Sequence, residues 1–170
     1  MLTKLIELEC IKKGEFVLKS GKTSEYYIDL RKLVSYPKIL KELCDLIIEK
    51  IDSNIDLICG CPYAGIPYAS CISLKQNIPM ILLRKEQKKY GTKKMIEGEF
   101  SQNNNLLLID DILTSGTSLI ESMNYLKNFN IKQIIVIFDR EEGGKEKIEN
   151  LGYNVISLFS TSDLREHMKL

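Results

Sequence analysis

Residues 105–118 read Asn-Leu-Leu-Leu-Ile-Asp-Asp-Ile-Leu-Thr-Ser-Gly-Thr-Ser. Leu106 to Ile109 are continuously apolar, the pattern of a strand buried on both faces. Two adjacent carboxylates, Asp110 and Asp111, follow. Then comes a loop dense in small hydroxyl residues: Thr114, Ser115, Gly116, Thr117 and Ser118. Helical spacing takes over with Leu119, Met123 and Leu126 on one face, and Ser118 with Glu121 is spaced for a capping box. Such a strand, turning through Ser, Thr and Gly into a helix, is suited to a sugar phosphate. Loop amides and the helix N-terminus face the phosphate, and the carboxylates accept hydrogen bonds from sugar hydroxyls. Two other uses of the acids stay open: direct binding of a metal, or, for Asp110, capping of the loop.

The pattern repeats outward. Further short apolar strands are expected at Leu57 to Cys59, Pro79 to Leu83, Ile134 to Phe138 and Val155 to Leu158. Helical segments begin at Pro37, at Ile66, at Gly143-Gly144 and after the last strand. Leu2, Leu5, Ile6 and Cys10 fit one face of an N-terminal helix. Phe16 to Leu18 and Tyr26 to Leu30 are expected as a hairpin turning at Ser20-Gly21-Lys22. Alternating apolar strands and helices specify an α/β fold with a mostly parallel sheet covered on both faces. Ligands in such sheets bind beyond the C-terminal ends of the strands. The segments after strands 57–59, 80–83, 106–109 and 134–138 should therefore converge at one sheet edge.

Each of these segments also has a plainer use. Gly60 to Gly65 suits either a phosphate approach or tight packing. Residues 84–94 carry six basic residues against one acidic, which suits either a solvated surface or a cationic lid. Arg140, just past a buried strand, is either a salt-bridge residue or a clamp for a carboxylate.

At 170 residues, 44% hydrophobic and 28% charged with a net charge of +1, the chain reads as one globular domain. Near-neutrality gives no overall pull toward nucleic acid or membrane. No apolar run is long enough to span a bilayer. Glu7 and Glu9 interrupt what would be the apolar core of a secretory leader, so none is expected. Five cysteines without a CxxC pair read as reduced thiols of a cytoplasmic protein. The single histidine, His167, reads as a surface residue of the terminal helix.

These residues carry a resemblance. Asp110 to Ser118 is similar to the phosphoribosyl-pyrophosphate (PRPP) motif of the type I phosphoribosyltransferases. Gly14 to Gly21, Tyr26 to Arg31, Gly60 to Pro67, Arg84 to Thr92 and Asp139 to Gly144 resemble the orotate phosphoribosyltransferases, most of all the corresponding half of the bifunctional eukaryotic UMP synthases. The chain ends where a decarboxylase domain would begin, so that second activity is not expected in it.

The resemblance implies the type I phosphoribosyltransferase fold with a small N-terminal hood over about residues 1–35, and a flexible catalytic loop over about 84–104. It implies transfer of the phosphoribosyl group of PRPP to orotate with Mg²⁺, giving orotidine 5′-monophosphate (OMP) and pyrophosphate. Asp110 and Asp111 would hold the ribose hydroxyls and Lys88 would act on the leaving group, the three forming the catalytic set. Lys19, Tyr63, Arg84, Lys85, Lys88, Tyr90, Asp110, Asp111, Ile112, Leu113, Thr114, Ser115, Gly116, Thr117 and Ser118 would bind PRPP. Lys19, Tyr26, Tyr27, Thr114 and Arg140 would bind orotate, with Arg140 on its carboxylate. Mg²⁺ would be held mainly by PRPP, with Asp110 and Asp111 acting through water. A homodimer is implied, each loop reaching the neighbouring site, and a separate OMP decarboxylase would be a further partner. Neither nucleic acid nor membrane is expected. Three positions depart from the family pattern: Ala64 where a lysine is frequent, Lys89 where an aspartate is usual, and Tyr90 in place of a histidine. A phosphoribosyltransferase for another base and a non-catalytic PRPP-sensing regulator are the competing readings. The carboxylate clamp argues against the first, and the full cationic loop against the second.

Overall fold

Two sheets organise the chain in the computed structural model, which describes residues 1–17, 21, 23–86, 94–101 and 103–169. The smaller is a hairpin in which β1 (Ile11–Val17) pairs antiparallel with β2 (Thr23–Ile28). The larger has six strands: β3 (Leu57–Gly60), β4 (Met80–Leu83), β5 (Ile96–Glu97), β6 (Asn105–Leu113), β7 (Asn130–Asp139) and β8 (Val155–Ser160). Their order is β5-β4-β3-β6-β7-β8, and every neighbouring pair is parallel except β4 with β5. Helices α1 (Leu2–Glu7), α2 (Pro37–Ile48), α3 (Ile66–Gln76), α4 (Thr117–Tyr125), α5 (Gly144–Glu149) and α6 (Thr161–Met168) complete the α/β architecture.

Alternation along the strands sorts the core into two halves. Ile58, Leu107, Ile109, Ile135 and Ile137 point to the face packed by α2, α3, α6 and the hairpin. Leu57, Cys59, Leu106, Leu108, Ile134 and Val136 point to the face packed by Leu119, Met123 and Ile148 of α4 and α5. Each such Leu or Ile, removed from water, contributes about 1.5–3 kcal/mol. The central stretches Leu106–Ile109 and Ile134–Phe138 are therefore apolar without interruption because both of their faces are covered.

Strands β4, β3, β6 and β7 are adjacent and parallel, so the four segments leaving them do emerge at one edge. Several local expectations need correction. Strand β6 runs on through Asp110 and Asp111 to Leu113, because Asp110, Ile112 and Leu113 keep their pairing with Val136, Phe138 and Asp139. The acids thus lie inside the strand, ahead of Ile112 and Leu113, and do not follow it. Helix α4 begins at Thr117 with Gly116 as its N-cap and no side-chain cap, so the box expected from Ser118 and Glu121 does not form. Gly116 holds φ +78°, which places the cap in the region favouring glycine. Cys10 is buried but lies beyond α1. Strand β2 stops at Ile28, because Asp29 accepts a hydrogen bond from the Arg31 amide and caps a 3₁₀ turn, Leu30–Ser35. β5 was not foreseen; it is two residues long, and only pairing with Leu82 and Leu83 defines it. Leu18, Ser20 and Lys22 of the expected hairpin lie outside the described residues.

All five cysteines are free thiols, Cys10, Cys44, Cys59 and Cys61 buried and Cys71 partly so. His167 is exposed on α6, with a ring nitrogen 3.1 Å from Thr3 Oγ1. Among the described residues no helix is long and apolar enough to cross a membrane.

Candidate active site

The edge where β3, β4 and β6 end carries a cavity of about 290 Å³. Asp110, Asp111, Ile112 and Ser118 line it from β6 and α4, Tyr63 from the turn after β3, and Arg84 and Lys85 from the end of β4. Lys85 Nζ sits 5.7 Å from the centre of the Tyr63 ring, a cation–π contact linking two of these segments.

Glycine makes the approach of the segments physical. A Cβ on Gly65 would come within 2.3 Å of the Ile109 carbonyl oxygen, and one on Gly60 within 2.5 Å of Gly65 backbone atoms. Cys61 N donates to that same Ile109 oxygen at 2.8 Å. The turn after β3 therefore lies flat against β6, and tight packing accounts for Gly60 and Gly65. The peptide joining Pro62 to Tyr63 in this turn is cis. A Cβ on Gly144 would meet the Thr114 oxygen at 2.3 Å, so the start of α5 supports the 114–118 loop. Lys147 Nζ donates to the Ser115 oxygen at 3.2 Å. Within the loop, Ser115 Oγ and Thr117 Oγ1 share a hydrogen bond of 3.0 Å.

The paired acids sit in an unusual electrostatic setting. Burial first, and then the neighbouring Asp111 charge, push the Asp110 carboxyl up to about 7. Burial also raises Asp111, while its Ile112 amide and the Arg31 guanidinium pull the other way. The Cys61 thiol beside Asp110 is itself raised, first by burial and then by the Asp110 charge. Arg31 is held by Asp29 through Nε–Oδ1 at 2.7 Å and Nη2–Oδ2 at 2.9 Å. A pair of hard oxygen donors at a cavity wall fits a Mg²⁺ ion that keeps most of its waters. Among the described residues no group of three or more His, Cys, Asp or Glu is placed to hold a metal.

A second cavity, about 590 Å³, lies between the hairpin and the end of β7. Ser24, Tyr26, Arg140, Glu142, Thr161 and Arg165 are among its lining residues. The Arg140 guanidinium lies 5.4 Å from the centre of the Tyr26 ring, with Nη2 3.1 Å from Ser24 Oγ and Nε 2.9 Å from Glu142 Oε1. The cavities share no lining residue. They are joined through the backbone, where Arg140 N donates to the Leu113 oxygen at 2.9 Å.

The sequence-derived residues thus fall into two groups. Tyr63, Arg84, Lys85, Asp110, Asp111, Ile112 and Ser118 come together, as do Tyr26 and Arg140. Thr114, Ser115 and Gly116 form the turn between Leu113 of β6 and Thr117 of α4, and none of the five lines either cavity; Leu113 and Gly116 are buried and Thr114 is exposed. The tyrosine pair is divided, because consecutive strand residues face opposite ways. Tyr26 is buried under Arg140, while Tyr27 stacks 5.6 Å from Phe16 on the other side. Lys19, Lys88, Lys89 and Tyr90 lie outside the described residues. Arg31, Cys61, Ser24 and Thr161 were not foreseen as part of the site. Arg31 and Cys61 stood inside stretches already suspected, whereas Ser24 and Thr161 lie in no motif.

Comparison with known proteins agrees with this geometry. Residues 30–158 match the model of the phosphoribosyl transferase domain. The chain is 40% identical to the orotate phosphoribosyltransferase of Pyrococcus abyssi, over 95% of this chain and 92% of that protein. It is 36% identical to the uridine 5′-monophosphate synthase of Bos taurus, over 95% of this chain but 35% of that longer protein. The likeness to the bifunctional enzymes is therefore shared with archaeal orotate phosphoribosyltransferases. The crystal structure of the Aeropyrum pernix orotate phosphoribosyltransferase superposes with a TM-score of 0.88 at 26% identity, covering 99% of this chain and 97% of that one.

Proposed function

The chain belongs to the phosphoribosyl transferase family, and we propose that it transfers the phosphoribosyl group of PRPP to orotate, releasing orotidine 5′-monophosphate and pyrophosphate. The observation that carries this reading is the pairing of two cavities at one sheet edge. One presents carboxylates and lysine and arginine side chains, and the other presents a buried arginine against an aromatic ring.

Departure of pyrophosphate leaves positive charge on the ribose and adds negative charge to the leaving oxygens. Asp110 and Asp111, at the end of β6, accept hydrogen bonds from the ribose hydroxyls and place a negative field beside the forming cation. Amides and hydroxyls of residues 114–118 hold the 5′-phosphate at the start of α4. Arg84, Lys85 and Tyr63 face the pyrophosphate, Lys88 and Lys19 complete its neutralisation, and Tyr90 offers it a phenol hydroxyl. Bound Mg²⁺ would supply charge compensation on the pyrophosphate, with Asp110 and Asp111 as its contacts through water. Arg140 takes the orotate carboxylate and Tyr26 packs on the pyrimidine, with Thr114 at its margin; Tyr27, turned to the other side of β2, stays outside this half of the site. Orotate brings its own nitrogen nucleophile, so no activated serine or cysteine is required.

We place residues 1–170 in one catalytic domain, with residues 1–35 as hood and 84–104 as the segment that excludes water on closure. The working form is a homodimer in the cytoplasm, and its product passes to a separate OMP decarboxylase. The apolar hollow lined by Val34, Leu40, Tyr63 and Pro67 supports association of two copies, and the free thiols support a reducing compartment. The test is a spectrophotometric assay of orotate consumption with PRPP and Mg²⁺. Turnover of orotate is expected, and turnover of uracil or a purine in its place would overturn the reading.

A further inference from the structure

We infer that Thr161, the first residue of α6, is a positioning residue for the base-binding half of the site, a role that rests on the function proposed above. Four hydrogen bonds form a closed ring around it. Tyr26 Oη donates to Thr161 Oγ1 at 3.1 Å, and Thr161 Oγ1 donates to the Arg140 carbonyl at 2.9 Å. Arg140 Nη2 donates to Ser24 Oγ at 3.1 Å, and Ser24 Oγ donates to the Tyr26 carbonyl at 2.8 Å. The ring joins three segments that are far apart in sequence: the hairpin strand β2, the turn after β7 and the start of α6.

The Thr161 hydroxyl is not occupied in capping its own helix. Ser160 does that, accepting from Asp163 N at 3.1 Å while its own amide donates to Asp163 Oδ2 at 2.7 Å. Thr161 is buried, with 5% of its surface exposed, as are Tyr26 at 7% and Arg140 at 8%. A buried hydroxyl left unpaired is costly, so this group is committed to its two partners. The neighbouring residue tightens the same turn: Ser162 N and Oγ both reach Glu141 Oε2, at 2.9 and 2.8 Å. Helix α6 thereby indexes the backbone of Arg140 on one side and the phenol of Tyr26 on the other. The height of the guanidinium over the ring, which decides how a planar carboxylate-bearing base is clamped, follows from that indexing.

The test is a split in steady-state constants. Thr161→Val removes the donor and the polar acceptor at nearly constant volume. It is expected to raise KM for orotate about tenfold, the effect of losing one to two buried hydrogen bonds. KM for PRPP should stay within about twofold, because the ring does not touch the PRPP cavity. Thr161→Ser should restore the wild-type value. Tyr26→Phe, which keeps the aromatic ring and removes only the hydroxyl, should show a smaller effect in the Thr161→Val background than alone. Equal rises in both KM values, no rescue by serine, or full additivity with Tyr26→Phe would overturn the positioning role. Failure of the wild-type enzyme to use orotate would instead sink the function itself, before any variant is compared.

Discussion

The two ends of the site are built on opposite plans. The end we assign to ribose and phosphate is continuous in sequence, running from Asp110 through Ser118 off a single strand, with the turn after β3 packed against that strand. The base end is assembled from residues 24–26, 140–142 and 161, which meet only in the folded chain. In the proposed reaction the first end works by charge placed at fixed depth, and the second by a closed set of hydrogen bonds that orients one arginine. A contiguous loop is specified by local backbone geometry. An assembled one depends on every layer of packing that brings its parts together.

Substitutions can break or sharpen that contrast. The largest effect is expected at the contiguous end: Asp111→Asn should lower kcat/KM on the order of 100-fold, the loss typical when one group facing transition-state charge is removed. A drop of only a few fold in steady-state assays would mean that the acids merely shape the loop. Next, Arg140→Ala should raise KM for orotate roughly 10- to 100-fold by removing a charge-assisted contact, with little change in KM for PRPP. Arg140→Lys should not rescue, since a lysine lacks the planar fork; equal effects on both substrates would erase the division into two ends. Smaller still, Gly144→Ala should cost about 1–3 kcal/mol in urea unfolding, through the clash with the Thr114 oxygen and the Gly116 nitrogen. It should also raise KM for PRPP more than for orotate.

A separate effect, on stability and not on turnover, is expected in the pH dependence of unfolding. The folded carboxyl of Asp110 is pushed up to about 7, above its unfolded value of about 3.9. Between those values the folded state binds more protons than the unfolded one, so this group lowers stability as pH rises from about 4 to about 7. Asp110→Asn should therefore melt higher than wild type at pH 8 and approach it near pH 4, while losing activity. A melting advantage that does not change with pH would show that the burial of the charge is not what costs the fold.

Legibility followed the same division. The strand–acid–hydroxyl–helix run was readable because its period, its small residues and its chemistry lie in one stretch, and the parallel sheet was readable because doubly covered strands must be apolar throughout. The short strand β5 was not, since two residues carry no period and only their partners on β4 define them. Nor was most of β1, where Lys12, Lys13 and Glu15 are exposed and pairing with β2 alone holds the strand. Arg140 was found because an arginine after a buried strand is conspicuous. Thr161 was not, because a threonine at a helix start looks like any cap until Ser160 is seen to fill that place. The separation of Tyr26 from Tyr27 follows from strand geometry and was legible in principle, once β2 was known to include both.

The antiparallel edge pair has an entropic consequence. Arg84 N donates to the Met95 oxygen at 2.8 Å, and Arg84 Nη1 lies 3.5 Å from Glu97 Oε1, so the base of the cationic segment is pinned shut. Bringing the ends of a chain segment together costs free energy that grows as about (3/2)RT ln n. Here β4 and β5 have met that cost in folding, before any ligand arrives. A polyanion that meets Arg84 and Lys85 at the cavity wall therefore finds the two ends of this segment already joined. Two residues of edge strand thus settle the place of Arg84, one of the cavity's cations, during folding and not during binding.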